Sequence, residues 1–103
     1  MPNIKTPVHR LTQTEELILG ILRHSDRALT TTEITGISGA WLEEPSARVQ
    51  LPRMVDRDFL TTGMKDGRRW YRLAPTGRQA FDRWSAHRDQ IYKSAKSSKP
   101  RGK

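Results

Sequence analysis

Cysteine is absent from the 103 residues, which excludes disulfides, thiolate metal centres and cysteine nucleophiles. A small domain without disulfides suits a reducing compartment. No apolar run approaches the roughly 20 residues that cross a bilayer. Residues 1–11 (MPNIKTPVHRL) are polar with two prolines and do not read as a secretory signal. Histidine is scarce and scattered: His9, His24 and His87 share no metal-ligand spacing, and no HExxH or phosphate-loop pattern occurs. Asp56 and Asp58 stand two apart on a helical stretch, so they face different ways and make a poor acid–base pair. An enzyme is therefore not expected, nor a cofactor or a metal. Aromatics are only 7% of the chain, without the aromatic-rich strands of RNA-recognition modules. Hydrophobic residues are 34%, enough for one core, and the length is too short for two.

Acid is the other shortage, and it is local. The formal charge is +8. Residues 1–52 hold five Lys/Arg (Lys5, Arg10, Arg23, Arg27, Arg48) against six Asp/Glu, whereas residues 53–103 hold fourteen against five. A basic excess confined to one half favours a polyanionic partner.

Against these absences stands a clear succession of local signals. Thr12-x-x-Glu15 is a capping-box pattern, and Leu17, Ile18, Ile21 and Leu22 follow at the spacing of one helical face. A first helix is expected from about Thr12 to Ser25, with Gly20 admitted by close packing against another helix. Thr30-x-x-Glu33 repeats the cap and predicts a short helix over 31–38, with Leu29, Ile34 and Ile37 facing the core. Residues 39–44 (GAWLEE) connect it to a third helix opened by Pro45, which suits a first turn because its missing N–H has no helical partner there. Ala47, Leu51, Met54, Val55 and Asp58 follow helical spacing. Pro52 removes the bond to the Arg48 carbonyl and is expected to kink or restart this helix.

Two short runs, 59–65 and 68–73, then flank Asp66-Gly67. Asp-Gly between extended segments signals a two-residue hairpin, because a type I′ turn needs positive φ at both central residues. Tyr71 and Leu73 share one face, Trp70 and Arg72 the other. Trp70 can stack on a ligand but is expected to pack against a helix. Pro75 starts a last helix, about 75–95, with Phe81, Trp84, Arg88, Ile91 and Ala95 spaced as a short a/d seam. The domain reading is a flexible arm over 1–11, one domain over 12–95, and a disordered basic tail over 96–103.

Helix, short helix, helix, β-hairpin, helix is a mostly α fold with a small β-hairpin, the plan of a winged helix-turn-helix: three helices, a β-hairpin wing and a C-terminal helix. The sequence resembles the PadR-type regulators within the broader MarR-like group of winged helix transcription regulators. Glu16-Leu17-Ile18-Leu19-Gly20-Ile21-Leu22 is similar to that family's first-helix start, and Pro45-Ser46 to the opening of its recognition helix. Asp66-Gly67-Arg68-Arg69-Trp70-Tyr71-Arg72-Leu73-Ala74-Pro75-Thr76-Gly77-Arg78 is similar to its wing and the helix start that follows. The resemblance covers about residues 14–84. Ala74 stands where the family has a capping Thr, the aromatic of the recognition helix is missing near Val49 or Leu51, and the segment after the last helix is short and basic.

The resemblance implies a double-stranded DNA-binding transcription regulator, repressor-like, located in the cytoplasm on the nucleoid. Winged helices present the first turns of the third helix to the major groove. Ser46, Arg48, Gln50 and Arg53 are the candidates there, since Arg pairs with guanine and Gln with adenine. Thr31 and Thr32, at the start of the second helix, are candidates for a phosphate. Lys65, Arg68 and Arg69 form the wing tip and are expected to meet phosphates or the minor groove. The cations from Lys93 to Lys103 add non-specific attraction. The resemblance also implies a homodimer, with Phe81, Trp84, Arg88 and Ile91 as its seam. No membrane and no small-molecule ligand is expected, because so small a chain offers no obvious pocket. The alternative is a winged helix that docks on an acidic protein or coats DNA without preference.

Overall fold

The computed structural model of the chain describes residues 10–97; the expected arm (but for residues 10 and 11) and most of the basic tail lie outside them. Helix α1 spans Gln13–Ser25. Its capping box is complete: the Thr12 N–H donates to Glu15 Oε1 (2.9 Å) and the Glu15 N–H to Thr12 Oγ1 (3.1 Å). Strand β1 (Leu29–Thr30) leads into α2 (Thr31–Ser38), whose cap at Thr30 and Glu33 is built the same way. A 3₁₀ turn over Gly39–Trp41 precedes α3 (Glu44–Asp56). The hairpin consists of β2 (Leu60–Lys65) and β3 (Arg68–Leu73), and α4 runs over Pro75–Ser97.

The three strands form one antiparallel sheet in the order β1-β3-β2. Leu29 pairs with Tyr71 and Thr30 with Trp70; Leu60 pairs with Leu73 and Lys65 with Arg68. Alternation then assigns the faces. Leu29, Leu60 and Tyr71 are buried against the helices, and Trp70 and Arg72 lie on the outer face with Lys65 and Arg68. The expected two strands are thus three. A two-residue strand directly before a helix cap carries no alternation to read, which is why β1 was invisible in the sequence. Asp66 and Gly67 have φ of 54° and 75°, the positive pair that the turn requires.

Ile18, Leu19, Leu22, Leu29, Ile34, Leu51, Met54 and Leu60 are fully buried and make a core shared by α1, α2, α3 and the sheet. Each such side chain contributes about 1.5–3 kcal/mol through burial. Buried Glu15 is paired: its second oxygen accepts from Arg57 Nη1, and the Arg57 guanidinium lies 4.6 Å over the Phe59 ring. The start of α1 is thereby tied to the exit of α3.

Several expectations are corrected. α3 does not break at Pro52 but continues to Asp56. Leu51 and Met54 on either side of the proline are fully buried and Pro52 itself is exposed, so packing holds the helix against the loss of one backbone bond. Asp58 lies outside the helix with φ 63°, and Phe59 precedes the strand. Ile37 is 55% exposed, because Ile34 and Ser38 occupy the inward face of α2. Trp70 covers Gly63 across the hairpin, where an added Cβ would come within 2.7 Å of Cε2. The expected excuse for Gly20 is not borne out: it faces the Phe81 ring of α4, but an added Cβ would meet that ring at 3.4 Å, an ordinary contact that leaves room for a methyl. Gly77 is the tightest position. A Cβ there would sit 2.8 Å from the carbonyl carbon of Phe59 and nearer still to its oxygen, so only glycine lets the first turn of α4 rest on the foot of the hairpin.

Candidate nucleic-acid interface

Buried Ala47, Leu51 and Met54 define the inward stripe of α3, and the remaining positions follow from 3.6-residue periodicity. Ser46, Gln50 and Arg53 stand at i, i+4 and i+7 on one flank. Ser46 and Arg53 are exposed and Gln50 half-buried. Arg48 is on the other flank, and it is occupied: Nε (3.1 Å) and Nη2 both donate to Oε2 of Glu44 one turn earlier. Between the flanks is Val49, 49% exposed. An apolar side chain at the middle of a solvent-facing helix stripe is unexplained by the core, and it is a residue the sequence reading passed over. Its signal is visible in retrospect as the position opposite Ala47, Leu51 and Met54.

The start of α2 is brought beside the hairpin by the pairing of Thr30 with Trp70. Thr32 is exposed and Thr31 half-buried; among the described residues neither hydroxyl has a partner. The Thr30 N–H donates to Glu33 Oε1 (2.8 Å), and Arg27 Nη1 stands 3.8 Å from the other oxygen. The bond from the Thr30 backbone is the main cause that holds the Glu33 carboxyl below its ordinary pKa; desolvation opposes it, and Arg27 and the Thr30 hydroxyl add to the lowering. The negative charge of the cap is thus kept at neutral pH, and this end of α2 is not purely cationic.

The wing cations do not form one cluster. Lys65 and Arg68 are register partners on the outer face, whereas Arg69 pairs with Met64 on the opposite face and reaches Thr62 Oγ1 at 3.5 Å. All three are exposed, and among the described residues none is in an ion pair. A narrow hairpin with cations on both faces presents charge to whatever passes along either side. Arg72 extends the outer row from Arg68 past Trp70, another position that period-two spacing marks but the site reading omitted.

The seam residues of α4 are mostly engaged within the chain. Phe81 packs on Gly20, Trp84 Nε1 donates to Glu16 Oε1 (2.9 Å), and Arg88 forms an ion pair with Glu16. Ile91 is 51% exposed and Tyr92 beside it 65%. The expected absence of a pocket is corrected: α1, α2, the 3₁₀ turn and α4 border an open groove of about 910 Å³, walled by Leu17, Ile21, Ile37, Trp41 and Phe81. Ile37 and Trp41 are exposed because they line it. Among the described residues no group of His, Asp or Glu suits a metal ion, and no helix is long and apolar enough to cross a membrane.

No protein-family model matches the sequence, and no curated protein matches it. Solved structures do. BpsR of Bordetella bronchiseptica, whose DNA binding is regulated by 6-hydroxynicotinic acid, superposes with a TM-score of 0.69 at 20% identity over 85% of this chain and 62% of its own. MepR of Staphylococcus aureus, a transcription regulator of a multidrug efflux pump, gives 0.74 at 16% identity over 87% of this chain and 67% of its own. A PadR family transcription regulator of Clostridium difficile gives 0.65 at 20% identity over 81% of this chain and 94% of its own. The chain thus spans under two thirds of BpsR but nearly all of the PadR regulator. At these identities the likeness is one of fold, and the fold is the winged helix of the MarR and PadR regulators.

Proposed function

We propose that this winged helix binds double-stranded DNA with sequence preference and acts as a transcription regulator. The observation that carries the reading is the unpaired cation set of the hairpin, Lys65, Arg68 and Arg69, standing beside the start of α2 in a fold whose solved examples include regulators of transcription. The wing supplies phosphate or minor-groove contact, and Thr31 and Thr32 hold a phosphate at the start of α2. Ser46, Gln50 and Arg53 meet base edges, with Val49 against a thymine methyl. Arg48 joins them once it leaves Glu44. Because Phe81, Trp84 and Arg88 are committed to α1, the dimer contact falls to Ile91 and Tyr92 of α4 and the apolar groove walls.

Selection of bound duplexes from a random library tests this reading. An enriched motif is expected, with two half-sites about one helical turn apart if the protein binds as a dimer. Val49→Ala and Gln50→Ala are expected to change the enriched base at one position each, by about 1–3 kcal/mol of discrimination. A pool that remains random, with binding that fades uniformly as salt rises, would overturn the regulator reading in favour of a DNA coat. Sedimentation tests the dimer: Ile91→Arg is expected to yield monomer, and a wild-type monomer at high micromolar concentration would remove the two-half-site expectation.

A further inference from the structure

The base of the sheet carries a second basic feature that DNA binding by α3 and the wing leaves unused. The end of α1, the end of β3 and the first turn of α4 enclose a cavity of about 270 Å³. Arg23, Arg27, Arg72 and Arg78 all line it, with Asp26 the acid on its wall. These four come from three separate parts of the fold, so the gathering is tertiary and not a charge run. Arg23 is held by Asp82 (3.2 Å) and Arg27 loosely by Glu33 (3.8 Å). Among the described residues Arg72 and Arg78 have no acidic partner, and Asp26 pairs with no cation. The cavity therefore keeps a positive excess that the protein itself does not neutralise. Arg72 is four residues along β3 from Arg68, about 13 Å, so this is a place apart from the wing tip.

We propose that this cavity binds a phosphate group, held by Arg72 and Arg78 with Arg23 and Arg27 behind them. Guanidinium forks match the oxygens of a phosphate, and two unpaired cations at one mouth suit a dianion better than a single carboxylate. The volume leaves room for a small organic part attached to the phosphate. A phosphate of the duplex backbone has the same chemistry, and the site stands whether or not the protein prefers a DNA sequence.

The test is a titration of the full chain with inorganic phosphate at constant ionic strength, followed by backbone amide shifts. A saturable curve is expected, with the largest shifts at residues 23–27 and 72–78. Arg72→Gln with Arg78→Gln is expected to weaken phosphate at least tenfold, and the corresponding double Lys variant by less than threefold. Arg68→Ala with Arg69→Ala should leave phosphate affinity within twofold. Melting in phosphate-free buffer checks that the Gln pair folds like the wild type. A linear, unsaturable response, or shifts centred on Arg68 and Arg69, overturns the site. Duplex binding by the Gln pair then identifies the source. A loss matching that of phosphate assigns the site to the DNA backbone. Duplex affinity within twofold of wild type, with glycerol phosphate binding at least as tightly as inorganic phosphate, assigns it to a free phosphate ester.

Discussion

The hairpin and α3 differ in how they would serve the proposed interface. α3 balances Arg48 and Arg53 with Glu44 and Asp56, and one of its two cations is already bonded to an acid of its own helix. The tip of the hairpin sets Lys65, Arg68 and Arg69 against Asp66 alone. Charge without partners gives affinity that does not depend on sequence, whereas discrimination needs neutral groups placed against base edges. In the proposed interface those two properties belong to different elements. That separation can be broken at the foot of the hairpin, on its tip, and on α3, in decreasing order of effect.

The foot comes first. The hairpin is aimed by the contact of Gly77 with the Phe59 backbone, where an added methyl meets main-chain atoms that no rotamer can move aside. Gly77→Ala is expected to cost about 3 kcal/mol, at the upper end for overpacking. For a domain of this size that lowers the melting temperature by roughly 12–24 °C. A calorimetric midpoint within a few degrees of wild type would mean that the start of α4 does not position the hairpin.

At the tip, Arg68→Ala with Arg69→Ala is expected to weaken binding to every duplex by at least about 1.5–3 kcal/mol, the value of a single charge-assisted contact. The slope of log affinity against log salt should fall by about 1.8, since each duplex phosphate contributes about 0.9. The preferred sequence should stay the same. Because the two arginines face opposite ways, the single variants sharpen the comparison: a duplex lying along one face loses most of the effect with one of them. An altered motif in the double variant would show that the wing also reads sequence and would dissolve the division between the elements.

What the sequence made legible follows the range of the interactions involved. The two capping boxes, the turn at Asp66–Gly67 and the start of α3 near Pro45 depend on neighbours within four residues, and each stands where its pattern put it. The course of α3 past Pro52 does not, because the local penalty is outweighed by buried Leu51 and Met54. Strand β1 depends on a partner 40 residues away in β3. The site residues were found as a list, although two features of their arrangement were legible. Glu44 stands one turn before Arg48, the spacing of a helical ion pair, and alternation puts Arg69 on the face opposite Arg68, so both arrangements follow from local spacing. The groove was missed because Ile37 and Trp41 read as core and connection, while tertiary packing makes them the rim of an open surface.

The smallest effect is on α3 and is the most direct probe of its reserve. Glu44 and Arg48 form an exposed i, i+4 pair, worth about 0.3–0.5 kcal/mol on a helix surface. Glu44→Gln removes the partner and also takes an anion away from the proposed DNA interface. Stability should fall by no more than the value of the pair, while DNA affinity rises about twofold to fivefold, most at low salt where surface charges are least screened. Arg48→Ala in the wild-type background should change affinity little, and in the Glu44→Gln background should remove the gain. The double-mutant cycle isolates this coupling. If Arg48→Ala costs the same in both backgrounds, Arg48 is already on the DNA despite Glu44, and α3 contributes charge as well as shape.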